Sequence, residues 1–353
     1  MPILDQGYQH WSGTLSGHAW RWLAITRQGV RIGLRNRWLR IALIVSLLPA
    51  IVLAVVLCVW GLVEQQSELI QAIKPMLQFL DQRMLDDPQT YRMDVWRLSY
   101  SYFLLTQLRF SMLLILIVGP NLISQDLRYN ALPLYLSRPL RRIDYFLGKL
   151  GVIVAFIGAV TVAPVILAYL LGMLFSLDLS IVRDTFGLLL SSVAYGLVIA
   201  VSAGMLVLAL SSLSRNSRYI SLFWLAIWFG ASLVSGVLQM VDSQQRMHDA
   251  WNAGGGFNAE AFAEEELKAA ASNWRPLVSY TANLSRLGQA MLGTDAVWEK
   301  LSEMQPEAQR NMFLLNFRGP QYPWQWSALV LAGLFGLSAW ILNRSIRSLD
   351  RLK

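Results

Sequence analysis

Six stretches of this chain run for 23 to 30 residues almost without charge. Each is long enough to cross a hydrocarbon core of ~30 Å, which takes roughly 20 helical residues. They are Ile41–Val63, Tyr100–Gln125, Leu150–Leu177, Thr185–Ser214, Tyr219–Val241 and Gly319–Asn343, and Arg109 is the one charged residue inside any of them. Runs of this length, rich in Leu, Ile and Val, predict helices, because barrel strands would be shorter and would alternate. No strand-type alternation appears elsewhere, so the expected fold is all-α: a polytopic membrane protein with six transmembrane helices. Charged residues make up 15% of the chain, against about a quarter of a soluble domain, which excludes a soluble enzyme. The single cysteine, Cys58, lies in the first run, so neither an intramolecular disulfide nor a thiol metal site is available.

An even number of spans puts both termini on one side, and the flanking charges say which. With the termini inside, segments 1–40, 126–149, 215–218 and 344–353 carry 17 basic and 4 acidic residues. The outside segments, 64–99, 178–184 and 242–318, carry 12 basic and 18 acidic residues. The asymmetry predicts cytoplasmic termini in a bacterial-type cytoplasmic (inner) membrane. It also accounts for the net charge of +8 as a topology signal, with no nucleic acid implied. The expected organisation is a cytoplasmic or interfacial segment 1–40, transmembrane helices 1–5 over 41–241, a helical extracytoplasmic insertion 242–318, helix 6 over 319–343 and a cytoplasmic tail 344–353.

Trp20 to Arg40 holds six arginines among apolar residues and no small-residue cleavage site follows, so it is no signal peptide. Tryptophan and arginine interleaved in this way suit an amphipathic helix in the inner headgroup region, bound to the lipid bilayer. The insertion breaks at Gly254, Gly255 and Gly256 and resumes with helical patterns over Asn258–Ala271, Pro276–Leu292 and Ala296–Leu315. On the fourth run, Ser192, Gly196, Ala200 and Gly204 recur every fourth residue, a stripe that lets another helix approach closely within the protomer. Ser232 and Gly236 repeat the pattern on the fifth, expected nearer a second copy.

Catalytic chemistry is missing from the sequence. His10, His18 and His248 lie outside the spans with no metal-ligand spacing, and no Gly-x-Ser-x-Gly elbow occurs. No Gly-x-x-x-x-Gly-Lys-[Ser/Thr] phosphate loop is present, so the expectation is a non-enzyme that binds no cofactor itself. A secondary transporter or channel would bury carboxylates or histidines at mid-membrane, and the six runs hold none. Arg109 has two readings, a side chain that snorkels to the interface or an anion-facing group in a pathway. A third class, a membrane anchor or assembly protein working through its outer insertion, stays open at this point.

The most informative stretch joins runs two and three. It is a short amphipathic segment whose prolines limit its length, suited to docking in a groove of a cytosolic partner. It carries Asp126, Arg128, Tyr129, Asn130, a leucine run from Leu132 through Leu134 and Tyr135 to Leu136, then Ser137-Arg138-Pro139, Arg141-Arg142 and Tyr145-Phe146-Leu147-Gly148-Lys149. This order, an acidic residue, a turn, a leucine run ending in Ser-Arg-Pro, a basic patch and an aromatic-x-x-Gly-Lys, resembles the permease subunits of type 2 ATP-binding-cassette exporters. Asn130 stands where a glycine is common, Pro133 interrupts the leucine run, and the 77-residue outer insertion exceeds the short re-entrant hairpin of the family. The resemblance implies a permease dimer, homo- or heteromeric, that rocks between inward- and outward-facing states. A separate cytosolic ATPase would dock on this loop and hold the ATP and magnesium. Gly148 would let the third helix start close against a neighbour, with Lys149 anchoring it at the interface.

Overall fold

The computed structural model describes residues 20–65, 82–131, 142–176, 180–252 and 258–350. Among them no strand occurs, and six helical spans are long and apolar enough to cross a membrane: Arg37–Glu64, Pro88–Arg128, Ile143–Ser176, Ser180–Leu213, Ser217–Asn252 and Trp324–Ser345. Spans 2, 3 and 4 bury 44–56% of their apolar windows, whereas spans 1, 5 and 6 bury 17–22%. The core is therefore built on spans 2 to 4, and the outer three leave wide apolar faces.

A surface helix, α1 (Arg21–Gly33), precedes span 1, which is built from α2 (Arg37–Ser46) and α3 (Leu48–Glu64). Asn36 caps α2 by accepting the Trp38 N–H at 3.0 Å, and Pro49 opens α3, where its missing N–H costs nothing. The short α4 (Gln82–Asp86) leads into span 2, made of α5 (Pro88–Val118) and α6 (Asn121–Arg128).

Span 2 kinks where Pro120 interrupts the helical ladder. The freed groups are satisfied by one hydroxyl of span 4. Ser211 Oγ accepts the N–H groups of Ile123 and Ser124 at 3.1 and 3.0 Å and donates to the Pro120 carbonyl at 3.1 Å. That is one donor and two lone pairs, the full capacity of a serine.

Span 3 consists of α7 (Arg142–Val160) and α8 (Val162–Ser176), separated at Thr161 because Pro164 cannot donate to the carbonyl of Val160. Span 4 is the continuous α9 (Ser180–Leu213), and span 5 joins α10 (Ser217–Leu225) to α11 (Ala231–Asn252) through a π-turn at Ala226–Gly230. The insertion holds α12 (Ala259–Ala270), α13 (Tyr280–Leu292), α14 (Thr294–Glu303) and α15 (Arg310–Phe317), and α16 (Trp324–Asp350) carries span 6.

One part of the insertion differs from its sequence reading as a wholly external segment. The head of α13 lies among the spans: Tyr280 OH is 2.9 Å from Ser202 Oγ of span 4, and its ring meets Trp224 of span 5 edge-on at 6.3 Å. Both partners sit inside the apolar runs. Gly288 permits the close approach, since a Cβ there would fall 2.6 Å from Cε1 of Tyr195, whose hydroxyl donates to the Leu284 carbonyl at 3.0 Å. The polar N–H groups that made this stretch look external find local acceptors. Asn283 donates to the carbonyls of Leu277 and Ser279 at 2.8 Å, and Arg286 donates to the Tyr322 carbonyl at 2.7 Å and pairs with Asp295 at 2.9 Å.

The small-residue stripe of span 4 faces span 3. Ser192 and Ala200 are fully buried, a Cβ on Gly196 would sit 3.0 Å from Thr161 Oγ1, and one on Gly204 would sit 2.6 Å from Leu150 Cδ1. Ala200→Leu adds three carbons where there is no room, and overpacking of this kind costs about 1–3 kcal/mol. The variant should show a lowered thermal midpoint and reduced assembly in detergent; unchanged values would mean that the stripe is no interface. On span 5, Ser232 Oγ lies 2.9 Å from Ser279 and 3.1 Å from Thr281 ahead of and within α13, while Gly236 has open space around it.

Candidate functional site

The loop singled out in the sequence hangs between α6 and α7, and its two roots are tied together. Lys149 Nζ of α7 lies 2.6 Å from Asp126 Oδ2 of α6, and Tyr145 OH donates to the same oxygen at 2.6 Å. The ammonium also stands 5.4 Å from the centroid of the Tyr145 ring. The Lys149 and Asp126 side chains are only 13% and 15% exposed, and Tyr145 is buried. Removing one member of a charge pair this sheltered from water strands the other, so breaking it costs more than breaking a surface pair. Twenty-three residues apart in sequence, Asp126 and Lys149 form one clamp.

The descending root ends in a defined cap. Asn130 adopts φ 50°, the left-handed conformation at the residue following the cap. The Ala131 N–H returns to the Asp126 carbonyl at 2.9 Å and the Asn130 N–H to the Leu127 carbonyl at 3.5 Å, the paired bonds of a Schellman motif. Asn is one of the few residues other than glycine that accept this geometry, which explains why the family's glycine can be absent here. Tyr129, the cap residue itself, is exposed, with the Arg128 guanidinium 5.8 Å from its ring centroid. Leu132, Leu134, Tyr135, Ser137, Arg138 and Pro139 lie outside the described residues.

The ascending root is braced by α1. A Cβ on Gly148 would fall 2.6 Å from Ile25 Cβ, and Thr26 Oγ1 donates to the Gly148 carbonyl at 3.0 Å. Gly151 meets Thr26 in the same way, and Gly33 of α1 would meet Phe156 of α7 at 2.8 Å. Glycines on both helices thus bring α1 and the start of span 3 backbone to backbone, the mode that serves where lipid supplies no hydrophobic drive. The arginines Arg27, Arg31 and Arg35 stay exposed on the opposite side. The partner that Gly148 accommodates is the N-terminal helix, which the sequence had placed at the membrane surface without a packing partner.

Arg109 is exposed on span 2, on the same open face as Tyr102 and Leu113, and has no ion-pair partner among the described residues. This face lies between span 1, where Gln107 donates to the Ser46 carbonyl at 2.6 Å, and span 5, where Trp224 Nε1 donates to the Met112 carbonyl at 3.0 Å.

With the clamp, the cap and the braced third span in view, comparison with known families is decisive: the profile described as ABC-2 family transporter protein matches residues 23–321, from α1 to the threshold of span 6. The chain belongs to the ABC-2 transporter family. It is a multi-pass membrane permease of an ATP-binding-cassette transporter, and membership implies association with an ATP-binding-cassette ATPase. No curated protein matches the chain.

A second polar centre of this ABC-2 permease was invisible in the sequence. At the opposite ends of the spans, Arg92 of span 2 pairs with Glu64 of span 1 at 2.8 Å, with side chains 5% and 3% exposed. Ser176 of span 3 donates to the second Glu64 oxygen at 2.9 Å, and Arg92 reaches Ser180 at 3.1 Å and Asp184 of span 4 at 3.7 Å. Four spans meet at one ion pair. The only signal in the sequence was that Glu64 ends the first apolar run and Arg92 lies eight residues ahead of the second, which described them equally well as solvated flanks.

Proposed function

We propose that two copies of this permease work with two ATPase subunits as an exporter in a bacterial-type cytoplasmic membrane, each ATPase docking on the 126–149 loop. The observation that carries this reading is the Asp126–Lys149–Tyr145 clamp. Because it binds the end of span 2 to the start of span 3, a push on the loop is delivered to both spans as one body. The Ser211 bonds pass it on to span 4, and the Gly148 contact draws α1 along. ATP and magnesium belong to the ATPase, and this chain contributes no catalytic group; its work is mechanical. Closure of the ATPases would rock the two permeases between inward-facing and outward-facing states. The open faces of spans 1 and 5, lined by Ile51, Val55, Leu222, Phe229 and Val237, each more than half exposed, offer area for the second copy.

Both termini and the loop are assigned to the cytoplasm, the insertion to the outside. Single cysteines at Asn130 and Asn258 in a Cys58-free background test this: an impermeant thiol reagent added outside should label Asn258 and leave Asn130 untouched. Labelling of Asn130 from outside would reverse the topology, and with it the docking site. Copurification of a soluble ATPase with the tagged chain, lost on changing Leu134 and Tyr135 to Asp, tests the docking itself.

A further inference from the structure

A slot of about 880 Å³ runs between spans 1 and 2 and the insertion, within the size range of small-molecule sites. Its wall on span 2 extends from Val95 to Phe110, sixteen residues whose fifteen steps rise about 22 Å. The deep part is walled by aliphatic side chains of span 1, among them Val45, Val52 and Val56. These residues are 38–63% exposed on the protomer surface, so this part opens sideways onto the face that lipid would wet.

The other end is boxed in. Met84 of α4, Leu301 of α14 and Met304 and Gln305 just after it close it, and Trp298 stacks on Phe317 at 5.9 Å and meets Tyr102 edge-on at 6.5 Å. Lys300 holds α14 onto span 2 through Asp94 at 2.5 Å. A spanning helix of a second copy could not continue through this box, whereas a molecule that ends at its level could.

The slot also has a polarity. Arg310 precedes Phe313 and Phe317 by three and seven residues on α15, which puts all three on one face of that helix. Among the described residues, its buried Nε has no hydrogen-bond partner, its Nη2 reaches only the Glu303 carbonyl at 3.5 Å, and it has no carboxylate partner. A cation about one helical turn beyond the aromatic wall of the closed end, with aliphatic walls at the deep end, matches an amphiphile standing in one leaflet.

We propose that this slot holds an acyl chain of an anionic membrane lipid, its chain along spans 1 and 2 and its headgroup toward Arg310. The site is independent of the cargo and of the ATPase, so it stands or falls apart from the transport reading. The full-length permease, reconstituted in phosphatidylcholine vesicles with a trace of phosphatidylglycerol carrying a photoactivatable chain end, should be labelled on span 1 or span 2 residues of the slot. Ser99→Trp fills the slot and should cut that labelling by at least about tenfold. Leu329→Trp, on the lipid-facing side of span 6, should not. Thr106→Phe, lower in the slot, repeats the test should Ser99→Trp fail to fold. Arg310→Gln should leave chain labelling in place and lower the preference over a phosphatidylcholine probe by about fivefold, the worth of one basic side chain at an anionic surface. Label spread evenly over all exposed spans, undiminished label in the filled variants, an unchanged headgroup preference in Arg310→Gln, or a disulfide joining two copies through Val52→Cys would each overturn the assignment.

Discussion

Asp126→Asn is expected to cut permease-dependent ATP hydrolysis by about tenfold or more while the chain still inserts in the membrane. The carboxylate receives both the Lys149 ammonium and the Tyr145 hydroxyl at 2.6 Å on a single oxygen, in a setting where each charged side chain is about six-sevenths hidden. Removing one charge of a buried pair strands the other, at a cost of about 3–5 kcal/mol for full burial, and water at the loop end lowers that figure. Even ~1.4 kcal/mol spent on loosening the roots is a factor of ten in the population of the rigid form. Exchanging the charges, Asp126→Lys with Lys149→Asp, should recover part of the activity, because Tyr145 can accept from a lysine as readily as it donates to a carboxylate. ATPase rates of the reconstituted complex with and without transported substrate are the readout. Full coupling in Asp126→Asn would remove the clamp from the mechanism.

Arg92→Ala should be the most destabilising single change at the opposite end of the spans. It leaves Glu64, 3% exposed, as a buried carboxylate whose remaining partner among the described residues is the Ser176 hydroxyl, at about 3–5 kcal/mol. The double variant Arg92→Met with Glu64→Leu should regain most of the loss, since an apolar replacement of a buried pair is often neutral or better. Thermal unfolding of the purified permease separates the cases. Equal midpoints for Arg92→Ala and the double variant would show that the pair does not hold the four spans together.

The six spans were legible because hydrocarbon demands long uncharged runs, and nothing else in the chain imitates them. Their ends were not. Span 2 begins at Pro88 rather than Tyr100, since Arg92 and Asp94, which look like a water-facing flank, are paired with Glu64 and Lys300 and let the helix run on. Span 5 continues to Asn252 for the same reason, with Asp242 held by Arg246 and by Arg275 at 2.8 Å. In the loop, the resemblance brought Asp126, Tyr145 and Lys149 into one motif, but only the fold shows that their polar atoms converge on one oxygen. The descent of α13 among the spans escaped notice because its partners, Ser202, Trp224 and Tyr322, come from three separate segments, and no spacing rule links them.

The contact between α1 and span 3 bears on how the chain is made. Thr26 and Gly148 are separated by 122 positions, so α1 leaves the ribosome without this docking surface until the third span arrives. At translation rates of about 5–20 residues per second, that wait lasts on the order of ten seconds. During it the glycine face of α1 is uncovered, and the exposed Arg27, Arg31 and Arg35, with Trp20 just ahead of the helix and Trp38 in α2, are what can hold the helix flat against anionic headgroups. On the proposed topology, the arginines that orient the finished protein would serve first as a nascent-chain mooring, and the order of membrane insertion would be written into the spacing between two small residues.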